Sequence, residues 1–193
     1  MKGKEIVKDI LIPAAILTAI ALVATAALAV TNYFTQPIIE GNQLGEAGLA
    51  RLELIPEGDD FKEIELTDEL TALGIADVYT AENGAGTVIS VTEKGYGGAF
   101  TVMVGFNTDG AVVAYKALSH DETPNLGSNV FESPFADQFI GKVPGELTAV
   151  KGAAGAEGEI AAITGATVSS EALTLAINHA GDAFRILQGG GLL

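Results

Sequence analysis

The stretch from Ile10 to Val30 constrains this chain more than any other, because none of its 21 residues carries a charge. About 20 apolar residues in a helix suffice to cross the hydrocarbon core of a bilayer. A cleaved signal peptide is the competing interpretation, since Ala27-Leu28-Ala29 resembles a cleavage site, but the run is long for a signal sequence. A helix buried in a soluble core is the weakest alternative, because the segment has no polar face to turn toward water. The run therefore predicts a retained transmembrane helix.

Basic residues are distributed unevenly around this run. Those that precede it are Lys2, Lys4 and Lys8, and the next one along the chain is Arg51. Because basic residues accumulate on the cytoplasmic side of membrane proteins, the pattern predicts a cytoplasmic N-terminus. We therefore expect residues 1–34 to form a cytoplasmic tail and a transmembrane helix, and residues 35–193 to form one extracytoplasmic domain.

The composition argues against several kinds of site. The chain has no cysteine, which excludes thiolate-held iron–sulfur clusters, disulfides and cysteine-based zinc sites. Its two histidines, His120 and His179, are far apart in sequence, and no Ser/His/Asp triad or paired-carboxylate constellation stands out. A net charge of −15 argues against nucleic acid or anionic lipid as a partner.

Alternating hydrophobicity predicts an antiparallel sheet in an α+β domain. The predicted strands are Phe61–Leu66, Ala76–Ala81, Thr87–Thr92, Phe100–Phe106 and Val112–Leu118, with turn signals such as Asn83-Gly84 and Thr108-Asp109-Gly110 between them. Helices are expected to flank the sheet. Before it we expect a linker over Gln36–Asn42, opened by Pro37, and a short amphipathic helix over Leu44–Leu54.

The segment after the sheet is less regular. Pro134 limits Ser128–Ile140 to short helical pieces or a helix that starts near Ser133. Two further strands, Leu147–Lys151 and Ile160–Ile163, are predicted on either side of a small-residue loop over Gly152–Gly158.

A terminal helix is predicted to about Leu187. Its apolar residues recur at spacings of three and four, at Leu173, Ala176, Ile177, Ala180, Phe184 and Leu187. Ser169 or Ser170 is expected to cap its N-terminus, with Glu171 in the first turn.

Hydroxyl groups cluster where this helix begins. Those of Thr164, Thr167 and Ser169 lie at or just before the expected N-terminus, where unpaired N–H groups and the helix dipole favour an anion such as phosphate. Gly165 and Ala166 leave room for a ligand to approach the backbone. On the spacing alone, an ordinary capped strand-to-helix turn is the favoured interpretation.

The sequence Thr164-Gly165-Ala166-Thr167, followed by Val168-Ser169, resembles a flavinylation motif. This motif belongs to the FMN-binding domain of the G subunit of Rnf complexes, which are ion-translocating ferredoxin:NAD oxidoreductases, and of the C subunit of sodium-translocating NADH:quinone reductases. It reads Ser/Thr-Gly-Ala-Thr and then an x-Ser/Thr step, and its last threonine carries FMN through a phosphoester bond. The resemblance therefore implies that Thr167 is the FMN carrier. The family motif usually has Asp three residues before its first hydroxyl, where this chain has Ala161.

The loop from Ser119 to Gly127 follows a predicted strand and by itself is a polar loop with a Pro-Asn turn. It resembles the family's His-x-Glu-Thr-Pro-Gly-Leu-Gly loop, with Asn125 in place of the usual Gly, and Asn tolerates a left-handed backbone. In the family this loop borders the flavin ring. The resemblance implies that Thr123 hydrogen-bonds the isoalloxazine and that Leu126 packs on it. It also implies that Gly127 is a cofactor-binding residue and that Glu122 orders the loop.

A third segment, Lys94-Gly95-Tyr96-Gly97-Gly98, resembles the family's Gly-Tyr-Gly-Gly sequence before a central strand. It implies a close approach of the backbone to the cofactor, with Tyr96 beside the ring. An ordinary turn that leads into a strand is the alternative. Lys151 is a further candidate for contact with the flavin or its phosphate.

The resemblance covers most of the chain from Tyr33 to Leu187 and implies a membrane-anchored electron-relay protein that carries covalent FMN. The implied partners are the other membrane subunits of an Rnf complex and a flavin transferase that uses FAD. One alternative is a C-subunit-like FMN carrier of the quinone reductase, although this chain is short for that role. The other is an anchored extracytoplasmic binding domain with no redox role.

Overall fold

The structure, a computed structural model, describes residues 11–193 and leaves the side chains of residues 34, 36–44 and 46 undescribed. The chain divides into two compact units, Met1–Glu46 and Ala47–Leu193, and helix α1 (Ile12–Leu54) contributes residues to both. The expected domain boundary after residue 34 stays a prediction. The three lysines on which the predicted orientation depends lie outside the described residues.

The first part of α1 agrees with the predicted transmembrane helix. By length and composition, Ile12–Tyr33 is able to cross a membrane, and none of its side chains is buried within the protein. The hydroxyls of Thr18 and Thr31 donate to the carbonyls of Ala14 and Ala27, at 2.9 and 3.0 Å. These two polar groups are therefore satisfied within the helix, as a hydrocarbon environment requires.

The linker expected over Gln36–Asn42 is wrong, because α1 continues through it without a break. The short helix expected over Leu44–Leu54 is the last part of the same element. A proline removes one backbone hydrogen bond from a helix but does not have to end it. Near the C-terminal end of α1, Ala50 and Leu54 are both buried.

Five antiparallel strands form the main sheet in the order in which they occur along the chain. They are β1 (Phe61–Glu63), β2 (Ile75–Ala81), β3 (Thr87–Lys94), β4 (Ala99–Phe106) and β5 (Val112–His120). This confirms the predicted α+β class and antiparallel sheet, with β1 shorter than expected and each of the other four strands one or two residues longer. A five-residue helix, α2 (Asp68–Ala72), lies between β1 and β2 and was not predicted.

The two faces of the sheet pack against different elements. Successive strand residues point to opposite faces. Accordingly Ile89 and Val104 belong to the main core, whereas their neighbours Val88 and Met103 pack with Leu54 and the other buried residues at the end of α1.

The segment after β5 contains two short 3₁₀ helices, Gly127–Phe131 and Ala136–Gln138, in agreement with the expected short helical pieces. Strands β6 (Thr148–Val150) and β7 (Glu159–Ala161) then pair in parallel as a separate two-stranded sheet.

Helix α3 (Thr167–Gly189) follows β7 and covers the inner face of the main sheet. All six of its predicted apolar positions are buried: Leu173, Ala176, Ile177, Ala180, Phe184 and Leu187. Because the hydrophobic face of α3 is held on the sheet, the position of its N-terminus relative to β3 and β5 is also determined.

Candidate functional site

The N-terminus of α3 has no side-chain cap. The helix begins at Thr167, and Ala166 occupies the capping position. The predicted caps, Ser169 and Ser170, lie inside the first turn, and Glu171 lies beyond it. Within residues 11–193 the backbone N–H groups of Thr167, Val168 and Ser169 have no hydrogen-bond acceptor. The first turn therefore offers three unpaired donors, and the helix dipole favours an anion beside them.

Ser170 has a different role from the predicted cap. Its Oγ accepts a hydrogen bond from the N–H of Ile163 at 3.0 Å and donates one to the carbonyl of Ala166 at 2.9 Å. The side chain is fully buried and closes the turn between β7 and α3. Gly165, at φ +85°, supplies the left-handed backbone that this turn requires.

The loop between β5 and the first 3₁₀ helix has the geometry expected of it. Asn125 adopts φ +58°, the left-handed conformation that the sequence predicted for this position. The carbonyl of Thr123 accepts hydrogen bonds from the N–H groups of Leu126 and Ser128, at 3.2 and 3.1 Å. These bonds use only the backbone of Thr123. The residue itself is exposed.

A hydrogen bond attaches the 3₁₀ helix that follows to strand β5 of the sheet. The hydroxyl of Tyr115, on β5, donates to the carbonyl of Val130 at 2.5 Å. Burial and, to a smaller extent, the nearby charge of Asp137 raise the pKa of Tyr115, so this hydroxyl stays protonated and keeps its donor role.

Glu122 connects three segments that are distant in sequence. Its Oε1 accepts a hydrogen bond from the N–H of Tyr96 at 2.8 Å, and its Oε2 accepts one from the Oγ of Ser169 at 2.9 Å. The side chain is only 4% exposed. Glu122 thereby joins the β3–β4 turn and the loop after β5 to the first turn of α3.

Two glycines leave the space that this carboxylate occupies. A Cβ at Gly95 would lie 1.9 Å from Oε1 of Glu122, and a Cβ at Gly127 would lie 2.3 Å from Oε2. Real Cβ atoms do not approach other atoms so closely, so any larger residue would force the carboxylate to move. The sequence suggested a close backbone approach at the β3–β4 turn, and the group that comes close in this structure is the Glu122 side chain.

The three segments enclose a cavity of about 290 Å³. Its lining consists of Tyr96, Glu122, Thr123, Leu126, Gly127, Gly165, Ala166, Thr167, Val168 and Ser169. Ten of the twelve residues singled out from the sequence are therefore brought together, although their roles toward a ligand stay predictions. The other two, Thr164 and Lys151, do not line this cavity, and both are exposed.

The residues that line the cavity include both polar and exposed apolar side chains. Tyr96 is 74% exposed, and Leu126 and Val168 are also solvent-accessible apolar side chains. Thr167 lines the cavity, and its hydroxyl makes no hydrogen bond within the described part of the chain. Such an arrangement suits a ligand that combines an anionic group, for the α3 N-terminus, with a planar apolar group for the exposed side chains.

Comparison with known families identifies two matching regions. The family model for the FMN-binding domain matches residues 95–182, and the model for the RnfG N-terminal region matches residues 1–47. The G subunit of the Na(+)-translocating ferredoxin:NAD(+) oxidoreductase complex of Acetobacterium woodii is 36% identical over 84% of this chain and 86% of its own length. The chain belongs to the RnfG family.

A second RnfG protein supports this membership over nearly the whole chain. The G subunit of the proton-translocating ferredoxin:NAD(+) oxidoreductase complex of Clostridium ljungdahlii is 31% identical over 90% of this chain and 91% of its own length. The FMN-binding match includes all ten residues that line the cavity. The RnfG N-terminal match covers the candidate transmembrane segment.

A solved structure shares the fold. The C subunit of the Na(+)-translocating NADH-quinone reductase of Parabacteroides distasonis superposes with a TM-score of 0.50, at 17% identity, over 65% of this chain and 72% of its own. At this identity the likeness concerns the fold alone. The N-terminal match is to RnfG, and this favours the Rnf protein over the quinone-reductase alternative.

Proposed function

We propose that this chain is the membrane-anchored, FMN-carrying electron-transfer subunit of an ion-translocating ferredoxin:NAD oxidoreductase. The relatives that cover most of its length are named as subunits of such complexes, which also implies other membrane subunits as partners. The observation that carries the proposal is the cavity. Three segments within the FMN-binding match, distant in sequence, meet at the uncapped N-terminus of α3.

The residues present fit FMN. The unpaired N–H groups of Thr167, Val168 and Ser169 would hold the phosphate, and Tyr96 and Leu126 would flank the isoalloxazine ring. When bound, the flavin supplies the electron-transfer chemistry, and the protein supplies position and electrostatics. Thr123 would place its exposed hydroxyl at the ring.

We further propose that FMN is attached covalently to Thr167, and three features of the local geometry support this choice. Thr167 lines the cavity and is half-buried, and its hydroxyl has no hydrogen-bond partner among residues 11–193. The hydroxyl of Ser169 is 1% exposed and donates to Glu122. Thr164 is exposed but does not line the cavity. Of these three residues, Thr167 both lines the cavity and has a hydroxyl that no other described residue engages.

The attachment reaction requires FAD and a flavin transferase. The oxygen of Thr167 attacks the phosphorus on the FMN side of the FAD pyrophosphate. One phosphoester P–O bond forms, the P–O bond to AMP breaks, and AMP leaves with the negative charge while the hydroxyl proton passes to the transferase or to water. No electrons are exchanged, so the flavin keeps its oxidation state.

Peptide mapping of the protein produced together with its flavin transferase tests the attachment. We expect the wild type to gain the mass of FMN less one water, on the peptide that contains Thr167. Thr167→Ala should carry none, whereas Thr167→Ser should restore part of it. Thr164→Ala is the matched control, because it removes a neighbouring hydroxyl and should leave the adduct on Thr167. An adduct on Ser169, or full attachment in Thr167→Ala, would show that another residue is the carrier.

The orientation in the membrane is a separate proposal, with the FMN domain on the extracytoplasmic side. Because the chain has no cysteine, single cysteines report topology without background. Thr108→Cys lies in the exposed β4–β5 turn, and Gly3→Cys lies in the N-terminal tail. In intact cells an impermeant thiol reagent should label Thr108→Cys but not Gly3→Cys. Labelling of Gly3→Cys alone would reverse the assignment.

A further inference from the structure

Glu122 is unusual among the charged residues of this protein. In the described part of the chain it is the one acidic or basic residue that is buried, at 4% exposure. Burial of a carboxylate is costly unless hydrogen bonds compensate for the lost water. A residue that only ordered a loop would not need a charge to do so, since neutral side chains can make the same bonds.

The surroundings of Glu122 suit a negatively charged carboxylate. Its two oxygens accept hydrogen bonds, one from the N–H of Tyr96 and the other from the hydroxyl of Ser169. Hydrogen bonds of this kind compensate a buried carboxylate for the water it loses. Ser169 belongs to the first turn of α3, where the helix dipole also favours a negative charge. The hydrogen bonds and the dipole therefore both stabilise a negative charge at this buried position.

Glu122 also lines the cavity that the proposed function assigns to FMN. Reduction of a flavin adds an electron to the ring system. A fixed negative charge opposes that addition, and the opposition is stronger in a buried, weakly polarisable environment than in water. The absence of side chains at Gly95 and Gly127 leaves the space that this carboxylate occupies, and its two hydrogen bonds hold it there.

We infer that Glu122 is a positioning residue whose fixed negative charge lowers the reduction potential of the flavin held in this cavity. The inference rests on the proposed function and adds a determinant of the potential to it. A low potential would match the flavin to a strongly reducing electron donor. The charge, and not the hydrogen bonds alone, is the property that matters.

Glu122→Gln separates charge from hydrogen bonding. The amide oxygen of Gln can accept from the N–H of Tyr96, and its amide N–H can donate to the hydroxyl of Ser169, which accepts as readily as it donates. The network is therefore conserved while the charge is lost. Ser169→Ala is the matched control, because it removes one hydrogen bond and keeps the charge. Glu122→Asp keeps the charge on a shorter side chain.

The experiment is a redox titration of the full-length flavin-loaded proteins in detergent, with dithionite as reductant and mediator dyes, followed by flavin absorbance. Thermal unfolding and flavin content are measured on the same samples. We expect the midpoint potential to rise in Glu122→Gln and not to rise in Ser169→Ala or Glu122→Asp.

Each other outcome has a defined meaning. An unchanged or lower potential in Glu122→Gln overturns the inference, and so does an equal rise in Ser169→Ala, which would assign the effect to loosening of the loop. Loss of fold or of flavin in Glu122→Gln also overturns it, because the carboxylate would then be required for structure. A wild type that binds no flavin contradicts the proposed function instead.

Discussion

Leu54, at the end of α1, provides a quantitative test of how the helix joins the sheet. Its side chain is 3% exposed and packs in a small cluster with Ala50, Ile55, Val88 and Met103. Leu54→Ala removes three carbon atoms, and at about 0.8 kcal/mol for each buried carbon the transfer loss is about 2.4 kcal/mol. The strands behind Leu54 are paired on both sides and cannot collapse into the space. A residual cavity should therefore bring the total loss of unfolding free energy to about 2.5–4 kcal/mol.

The assay is unfolding of the full-length protein by guanidinium in detergent, monitored by the circular dichroism signal of the β-sheet. Leu49→Ala is the matched control, since it is the same substitution on the same helix at a side chain that is 69% exposed. Its unfolding free energy should change by no more than about 0.5 kcal/mol. Equal midpoints for the two variants would refute the packing of the α1 end on the outer face of the sheet. A large loss in Leu49→Ala alone would indicate that the opposite face of the helix is the buried one.

Three further predictions concern the site and its surroundings. Ser170→Ala should lower the unfolding free energy by about 1–3 kcal/mol, because the N–H of Ile163 loses its acceptor. Denaturant unfolding measures this loss, and an unchanged free energy would mean that water replaces the hydroxyl. Thr123→Val should leave FMN attached but alter its spectrum or potential, by the equivalent of about 0.5–1.5 kcal/mol, and an unchanged flavin would make the loop purely structural. Hydrogen bonds from the backbone N–H groups of Gly155 and Ala156 hold the pKa of Glu159 below its ordinary value. The charged carboxylate therefore stabilises the 152–158 loop at every pH above the ordinary glutamate pKa. That stabilisation should disappear as the pH falls through the lowered pKa, and amide NMR signals of the loop should then shift in the wild type but not in Glu159→Gln.

Local sequence signals predicted most of the main sheet and the terminal helix. Strand alternation and the Asn-Gly and Asp-Gly turns act over a few residues, and so does the 3.6-residue periodicity of α3. Two elements were not predicted. Pro37 was interpreted as the opening of a linker, but α1 continues through it. Helix α2, with only five residues, is too short to show a period.

The helix cap illustrates a limit of another kind. Ser169 and Ser170 have the composition of an N-cap, yet both hydroxyls are engaged elsewhere, with Glu122 and with the β7–α3 turn. The preference of serine for the N-cap position holds when the hydroxyl has no stronger hydrogen-bond partner elsewhere in the fold. For Ser169 the partner is Glu122, 47 positions away in the chain, and no local pattern reports that.

The sequence by itself determined the apolar segment, the α+β class and the short motifs that indicate a flavin domain, because these depend on residue types at near spacings. Only the tertiary structure decided that the three motifs meet in one cavity. It also decided that Thr167 lines that cavity and that its hydroxyl has no partner among the described residues, whereas the hydroxyl of Ser169 is bonded to Glu122. Thr164 and Lys151 do not line the cavity. The physical reason is that a buried carboxylate must be satisfied by donors. Glu122 accepts hydrogen bonds from Tyr96 and Ser169, which belong to two distant segments of the chain, and the site lies where these segments meet.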